Sequence, residues 1–196
     1  MMKKGKQLSL AGIDGAGKTT QAKNLSHELQ KRGYHVKISQ QFETAMGRTC
    51  RKILSYTTDP YLRAFLFALD HYAARDKISD MLERYDFVIS DRSLYCSIAY
   101  LIPRGLSESW VVSLYQYLPR PNLVILLDIP VKVALRRKPF DDLVPVKTAD
   151  FLDQVGECYL SLAEKGYLTK VDGNLSEKEV TQEILELLVQ KEMINI

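Results

Sequence analysis

Gly12-Ile13-Asp14-Gly15-Ala16-Gly17-Lys18-Thr19 is the stretch whose reading decides the fold. In a GxxxxGK[ST] run the glycines let backbone N–H groups converge on phosphate oxygens, and a following helix offers its positive N-terminal end. Lys18 is placed to reach the β- and γ-phosphates of a nucleoside triphosphate, and the Thr19 hydroxyl to bind Mg²⁺. The required context is a strand before the run and a helix after it. Gln7 to Ala11 reads as that strand. From Thr19 to about Lys31 apolar residues recur at helical spacing (Ala22, Leu25, Leu29), until Gly33 ends the pattern.

Outward from this unit, strands and helices alternate. Tyr34 to Ser39 reads as a second strand, making an opening βαβ unit with a right-handed crossover. Asp59-Pro60 reads as a helix start, and Leu62, Phe65, Leu66, Leu69, Tyr72 and Ala73 form an apolar stripe that predicts a helix to about Arg84. Phe87 to Ser90 and Leu123 to Leu127 are nearly all-apolar strands, as in a parallel sheet covered on both faces. They end at Asp91-Arg92 and at Asp128. Leu106 to Leu118 is predicted helical, as is a short segment from Pro130 through Arg137. Leu168 to Asp172 gives a fifth strand, and Ser176-Glu177-Lys178-Glu179 has the form of a capping box before a C-terminal helix. The expected fold is a three-layer α/β domain over residues 1–196, with a five-stranded parallel sheet between helices and ligands at the strands' carboxyl ends. Lys138 to Lys147, rich in Pro, Asp and Lys, suits a mobile flap.

Composition narrows the function classes. The chain has 196 residues, 46% hydrophobic and 26% charged, with a formal net charge of +3, a balance that does not call for nucleic acid or a membrane surface. No run of eighteen apolar residues occurs and the short N-terminal apolar stretch enters the glycine loop directly, so a cytoplasmic protein is expected. Cys50, Cys96 and Cys158 are widely spaced and form no ligand or disulfide pattern.

The glycine loop alone fits ATPases, switches and kinases. No NKxD guanine-recognition segment is present, and the strand from Phe87 ends in Asp91-Arg92 rather than an Asp-Glu pair. An acid beside a base suits Mg²⁺ on Asp91 with Thr19, and a phosphorylated second substrate on Arg92.

At this point the sequence resembles the thymidylate kinase family of nucleoside monophosphate kinases. The resemblance is carried by the loop through Thr20-Gln21 with its internal Asp14, by Phe65-Leu66-Phe67-Ala68-Leu69-Asp70, by Asp91-Arg92 with Ala99-Tyr100, and by Leu126-Leu127-Asp128-Ile129-Pro130 leading into Arg136-Arg137. It implies a P-loop NTPase fold with a short lid at about 136–150 and transfer of the ATP γ-phosphoryl to a deoxynucleoside monophosphate, dTMP first. ATP would lie on Gly12, Ile13, Asp14, Gly15, Ala16, Gly17, Lys18, Thr19 and Thr20. The acceptor would meet Phe67 under its base, Arg92 at its phosphate, Asp14 at its 3′-hydroxyl and Tyr100 where a ribose 2′-hydroxyl would sit, with Ser97 nearby. Lys18, Asp91, Arg92, Arg136 and Arg137 would carry catalysis.

Three departures stand out. Ser39-Gln40-Gln41-Phe42-Glu43 replaces an Arg-Glu-Pro type segment, leaving Arg48 or Arg51 to supply a phosphate contact. His71 stands where an arginine contacts the base, and Cys96 replaces a serine and should pack as a small apolar residue. Other acceptors, modified nucleotides among them, and a nucleotide-binding switch without an acceptor are the competing readings. A homodimer is expected by analogy, through the apolar helix and Trp110, Tyr115 and Tyr117.

Overall fold

The computed structural model describes residues 5–137 and 148–195. The sequence-predicted flap, and most of the lid expected at 136–150, lie outside the described residues.

Five strands, β1 (Lys6–Ala11), β2 (Val36–Gln40), β3 (Phe87–Asp91), β4 (Leu123–Asp128) and β5 (Thr169–Asp172), form one sheet in the order β2-β3-β1-β4-β5. Every neighbouring pair is parallel. The strands of the opening βαβ unit are therefore not neighbours, because β3 inserts between them. From β1 the chain moves to one side of the sheet and later crosses to the other, which leaves a crevice at the carboxyl end of β1. The glycine loop opens there. Helix α1 (Lys18–Lys31) follows it, buried through Ala22, Leu25 and Leu29 as the spacing predicts.

Helix α2 (Ala45–Leu54) was not expected. It is capped by Thr44, whose side chain accepts from the Gly47 N–H, and buries Gly47, Cys50 and Leu54. Helix α3 (Pro60–Arg84) begins where Asp59-Pro60 predicts, the Asp59 carboxylate accepting from the Leu62 N–H at 2.6 Å. Its apolar stripe, however, points largely outward: Leu62, Phe65 and Leu69 are exposed, while the buried face carries Arg63 and Asp70. Buried charge is tolerable here because it is bonded. Arg63 donates to the carbonyls of Leu54 and Thr57 at 2.9 and 2.8 Å, closing the C-terminal end of α2.

Helix α4 (Leu94–Leu101) follows β3 and is buried at every residue. Apolar on all sides, it shows no amphipathic period to read. A 3₁₀ turn (Ile102–Arg104) leads to α5 (Glu108–Ser113), much shorter than the helix predicted over 106–118. Beyond Ser113 the N–H groups bond three residues back, as from Tyr115 to Val112 at 3.1 Å, and this tighter winding turns Tyr115 and Leu118 into the core.

Helix α6 (Val131–Arg137) follows β4, and α7 (Ala149–Glu164) covers the sheet through Leu152, Val155, Tyr159 and Leu162. The sequence reading placed no helix at α7, although that spacing and the Thr148 cap are both helix signals. Helix α8 (Glu177–Gln190) opens with the expected capping box of Ser176 and Glu179 and packs against α1.

Candidate active site

The glycine loop bends back on itself at the end of β1. Gly15 has φ 89°, and a Cβ there would lie 2.4 Å from the Ala134 carbonyl oxygen, so the close approach to α6 requires glycine. Lys18 is buried and donates to the carbonyls of Gly12 and Ile13 at 2.9 and 2.8 Å. Burial, and then the neighbouring Arg92 cation, lower its pKa to about 8. An ammonium held in a ring of backbone groups, beside another cation, is poised for an anion.

Strand β3 delivers the second element. Asp91, its last residue, accepts from the Thr19 hydroxyl at 2.5 Å. Arg92 follows with φ 84°, a left-handed conformation rare for a long side chain, while its N–H bonds the Leu10 carbonyl at 3.2 Å. The turn aims the guanidinium at the loop, where it pairs with Asp14 and lies 5.8 Å from the Tyr100 ring centroid. The Tyr100 hydroxyl accepts from the Asp14 N–H at 3.0 Å, and burial pushes that phenol upward. Asp14, Arg92 and Tyr100 thus form one bonded unit drawn from the loop, the end of β3 and α4.

Asp14 and Arg92, though not Tyr100, border a cleft of about 770 Å³. Asp14 through Gln21 form its floor, with Asp91 and Arg92 beside them. Arg51 on α2, with Gln40, Gln41 and Phe42, lines one end. Arg137, Gly173, Leu175, Ser176, Glu177 and Val180 line the other. Arg137 donates to the Gly173 carbonyl at 3.0 Å. Arg136 is exposed and is not among the described lining residues, so the structure brings one of the two expected lid-side arginines to the cleft.

Phe67 lies against Phe42, ring centroids 6.1 Å apart and planes tilted by 35°. Phe42 has φ 62°, and its N–H reaches the Asp70 carboxylate at 3.4 Å. Burial raises the Asp70 pKa to about 6. His71 Nε2 is 3.0 Å from the buried Ser97 hydroxyl, and burial lowers the imidazole pKa to about 4. His71, Asp70, Gln41 and Arg92 face a second, smaller cavity of about 60 Å³. Cys96 is buried, as expected for a packing residue.

Sequence reasoning missed two parts of this site. The wall from Gly173 to Glu177 follows the carboxyl end of β5 and was findable by the strand-end rule that located Asp91-Arg92. Phe42 gave no signal, since nothing local marks an aromatic residue for the left-handed region. Thr19 and Asp91 offer hard oxygens, a donor set that fits Mg²⁺. Among the described residues no group of three or more His, Cys, Asp or Glu could hold a metal, so the remaining ligands of such an ion would come from phosphate and water.

A parallel sheet with a phosphate loop at its switch point, and an acid and a base at the end of the adjoining strand, defines a P-loop phosphotransferase that acts on nucleotides. A family model described as thymidylate kinase matches residues 10–184. The chain belongs to the thymidylate kinase family. It is 33% identical over 189 residues to a probable thymidylate kinase of Methanosphaera stadtmanae, covering 92% of this chain and 96% of that protein. It is 34% identical over 207 residues to one of Pyrococcus abyssi, covering 95% and 97%, and 35% over 202 residues to one of Thermococcus gammatolerans, covering 93% and 95%. The fold matches the thymidylate kinase structure from Candida albicans with a TM-score of 0.83 at 23% identity, over 98% of this chain and 96% of that one.

Proposed function

We propose that the chain transfers the γ-phosphoryl group of ATP to the 5′-phosphate of dTMP, giving dTDP. The observation that carries this reading is the pairing of Asp14, inside the phosphate loop, with Arg92 at the end of β3. An acid in that loop has no task toward ATP phosphates, which it would repel, but it suits a sugar hydroxyl of a second substrate. Arg92 beside it is a forked cation matched to that substrate's phosphate.

Phosphoryl transfer between phosphates is governed by alignment and charge neutralisation. Lys18 and the loop N–H groups would hold the donor's β- and γ-phosphates. Thr19 and Asp91 would hold Mg²⁺, which when bound supplies positive charge against the β- and γ-oxygens. Arg92 would orient the acceptor phosphate, whose attacking oxygen is already ionised, so no general base is needed. Arg137, bonded to Gly173 at the far end of the cleft, would act on the ATP side, and Phe67 would stack on the base with Tyr100 excluding a ribose 2′-hydroxyl.

Residues 1–196 are read as one kinase domain with a lid at about 136–150, working in the cytoplasm. Among the described residues no helix is long and apolar enough to cross a membrane. A homodimer is proposed through the exposed face of α3, where Tyr61 and Phe65 meet Trp110 edge-on at 5.4 and 5.7 Å. Tyr115 is withdrawn from that surface, being buried.

A coupled ADP-release assay across all nucleoside monophosphates tests the activity. Stimulation by dTMP is the expected result. ATP consumption that no acceptor stimulates would overturn the kinase reading in favour of a nucleotide-driven switch.

A further inference from the structure

His71 bears on which bases the acceptor site admits, an inference that rests on the kinase reading above. Phe67 and His71 stand one turn apart, at i and i+4, on the same face of α3. In the proposed binding mode, a base stacked on the Phe67 ring would present its edge toward His71, one turn along the helix. The small cavity that His71 lines adjoins the main cleft, since Gln40, Gln41 and Arg92 border both. The cavity is small, about 60 Å³, and Asp70, His71 and Gln41 contribute polar groups to its wall.

The polarity of that wall is reversible. The imidazole is neutral near pH 7, because burial lowers its pKa to about 4. Its Nε2 is bonded to the Ser97 hydroxyl at 3.0 Å. The Tyr115 hydroxyl stands beside Ser97, outside good hydrogen-bond geometry, and the Tyr115 ring meets His71 edge-on at 5.7 Å. Each member of the series Tyr115, Ser97, His71 can both donate and accept. When the Ser97 O–H donates to Nε2, Nδ1 carries the proton and donates; when Nε2–H donates to Ser97, Nδ1 accepts. The change needs hydroxyl rotation and a tautomer shift, and it creates no charge.

A 4-oxo pyrimidine presents an O4 acceptor beside an N3–H donor, and a 4-amino pyrimidine presents the opposite pair. A fixed cation only donates and favours the 4-oxo edge. The two arginines bordering the small cavity are engaged elsewhere: Arg92 with Asp14, and Arg75 with Asp76 at 2.9 Å on the surface. We infer that His71 makes the acceptor site tolerant of base-edge polarity, so that the chain phosphorylates the 4-amino nucleotide dCMP as well as the 4-oxo nucleotides dTMP and dUMP.

The test is kcat/KM for dTMP, dUMP and dCMP on the wild-type chain, with direct calorimetric binding of each nucleotide. The same set is then measured on His71→Arg. The expected result is a dCMP value within about tenfold of dTMP for the wild type, and a selective loss of about tenfold or more for dCMP in the variant, since a one-sided edge contact carries about 1–3 kcal/mol of discrimination. Good turnover of dTMP with dCMP more than a hundredfold poorer, or unbound, overturns this inference and leaves the kinase reading standing. Turnover of neither overturns both. The wild-type comparison does not depend on the variant folding.

Discussion

The Arg92 guanidinium is paired with the Asp14 carboxylate across 78 positions of sequence, and Asp14 is bound again, through its backbone N–H, by the Tyr100 hydroxyl. An acceptor that uses both groups must enter between them. In the proposed binding mode the pair would both preorganise the site and compete with substrate.

Arg92→Ala is expected to lower kcat/KM for dTMP by about 10²–10³, the scale of losing one positioned donor at a reacting centre. Arg92→Lys should recover little of it, because an ammonium cannot reproduce the planar fork. Steady-state kinetics with circular dichroism as a folding control check this. Near wild-type turnover in folded Arg92→Ala would remove Arg92 from the proposed mechanism.

In its proposed role on the ATP phosphates, Lys18 would link ATP binding to pH. Its folded-state pKa is lowered from 10.5 to about 8, by burial first and then by Arg92. Between these values the folded chain binds fewer protons than the unfolded chain, so the lysine's contribution to stability improves as pH rises through that window. Phosphate binding requires the charged form. ATP affinity should therefore be about twofold weaker at pH 8 and about tenfold weaker at pH 9 than at pH 7, reflecting the protonated fraction. Calorimetric titration at both pH values measures it, and Lys18→Met should bind weakly with the pH dependence lost.

Tyr100→Phe separates ring from hydroxyl. The Asp14 N–H loses its acceptor at 3.0 Å, at a cost of about 1 kcal/mol read as a lower urea midpoint. If the ring's bulk excludes a ribose 2′-hydroxyl, the Phe variant keeps the preference for dTMP over its ribonucleotide counterpart and Tyr100→Ala loses it. Equal preferences in both variants would assign that selectivity to another residue.

Gly47→Ala tests the seam between α2 and α3. A Cβ at Gly47 would lie 2.3 Å from Asp70 Oδ1 and 2.8 Å from Phe42 Cα, and the latter is backbone that cannot swing aside. Overpacking of this kind costs about 1–3 kcal/mol. Because Phe42 and Arg51 border the end of the cleft proposed for the acceptor, KM for dTMP should rise while KM for ATP stays nearly constant. Equal changes in both constants would contradict that division of the cleft.

Local pattern alone determined a good deal of this protein. The glycine run, the apolar strands and the caps at Asp59 and Ser176 depend on neighbours a few residues away, and they fixed the parallel sheet, the phosphate loop and the strand end that carries Asp91 and Arg92. Helix α4 was hidden because uniform burial erases periodicity, and the apolar stripe of α3 misled because exposure depends on what the rest of the chain covers. Only the tertiary structure decided that β3 lies between β2 and β1, that Arg92 turns through a left-handed residue onto Asp14, and that Phe42 meets Phe67 over Asp70. These are contacts between segments far apart in the chain. Their energies depend on distances in space, which spacing along the sequence does not encode.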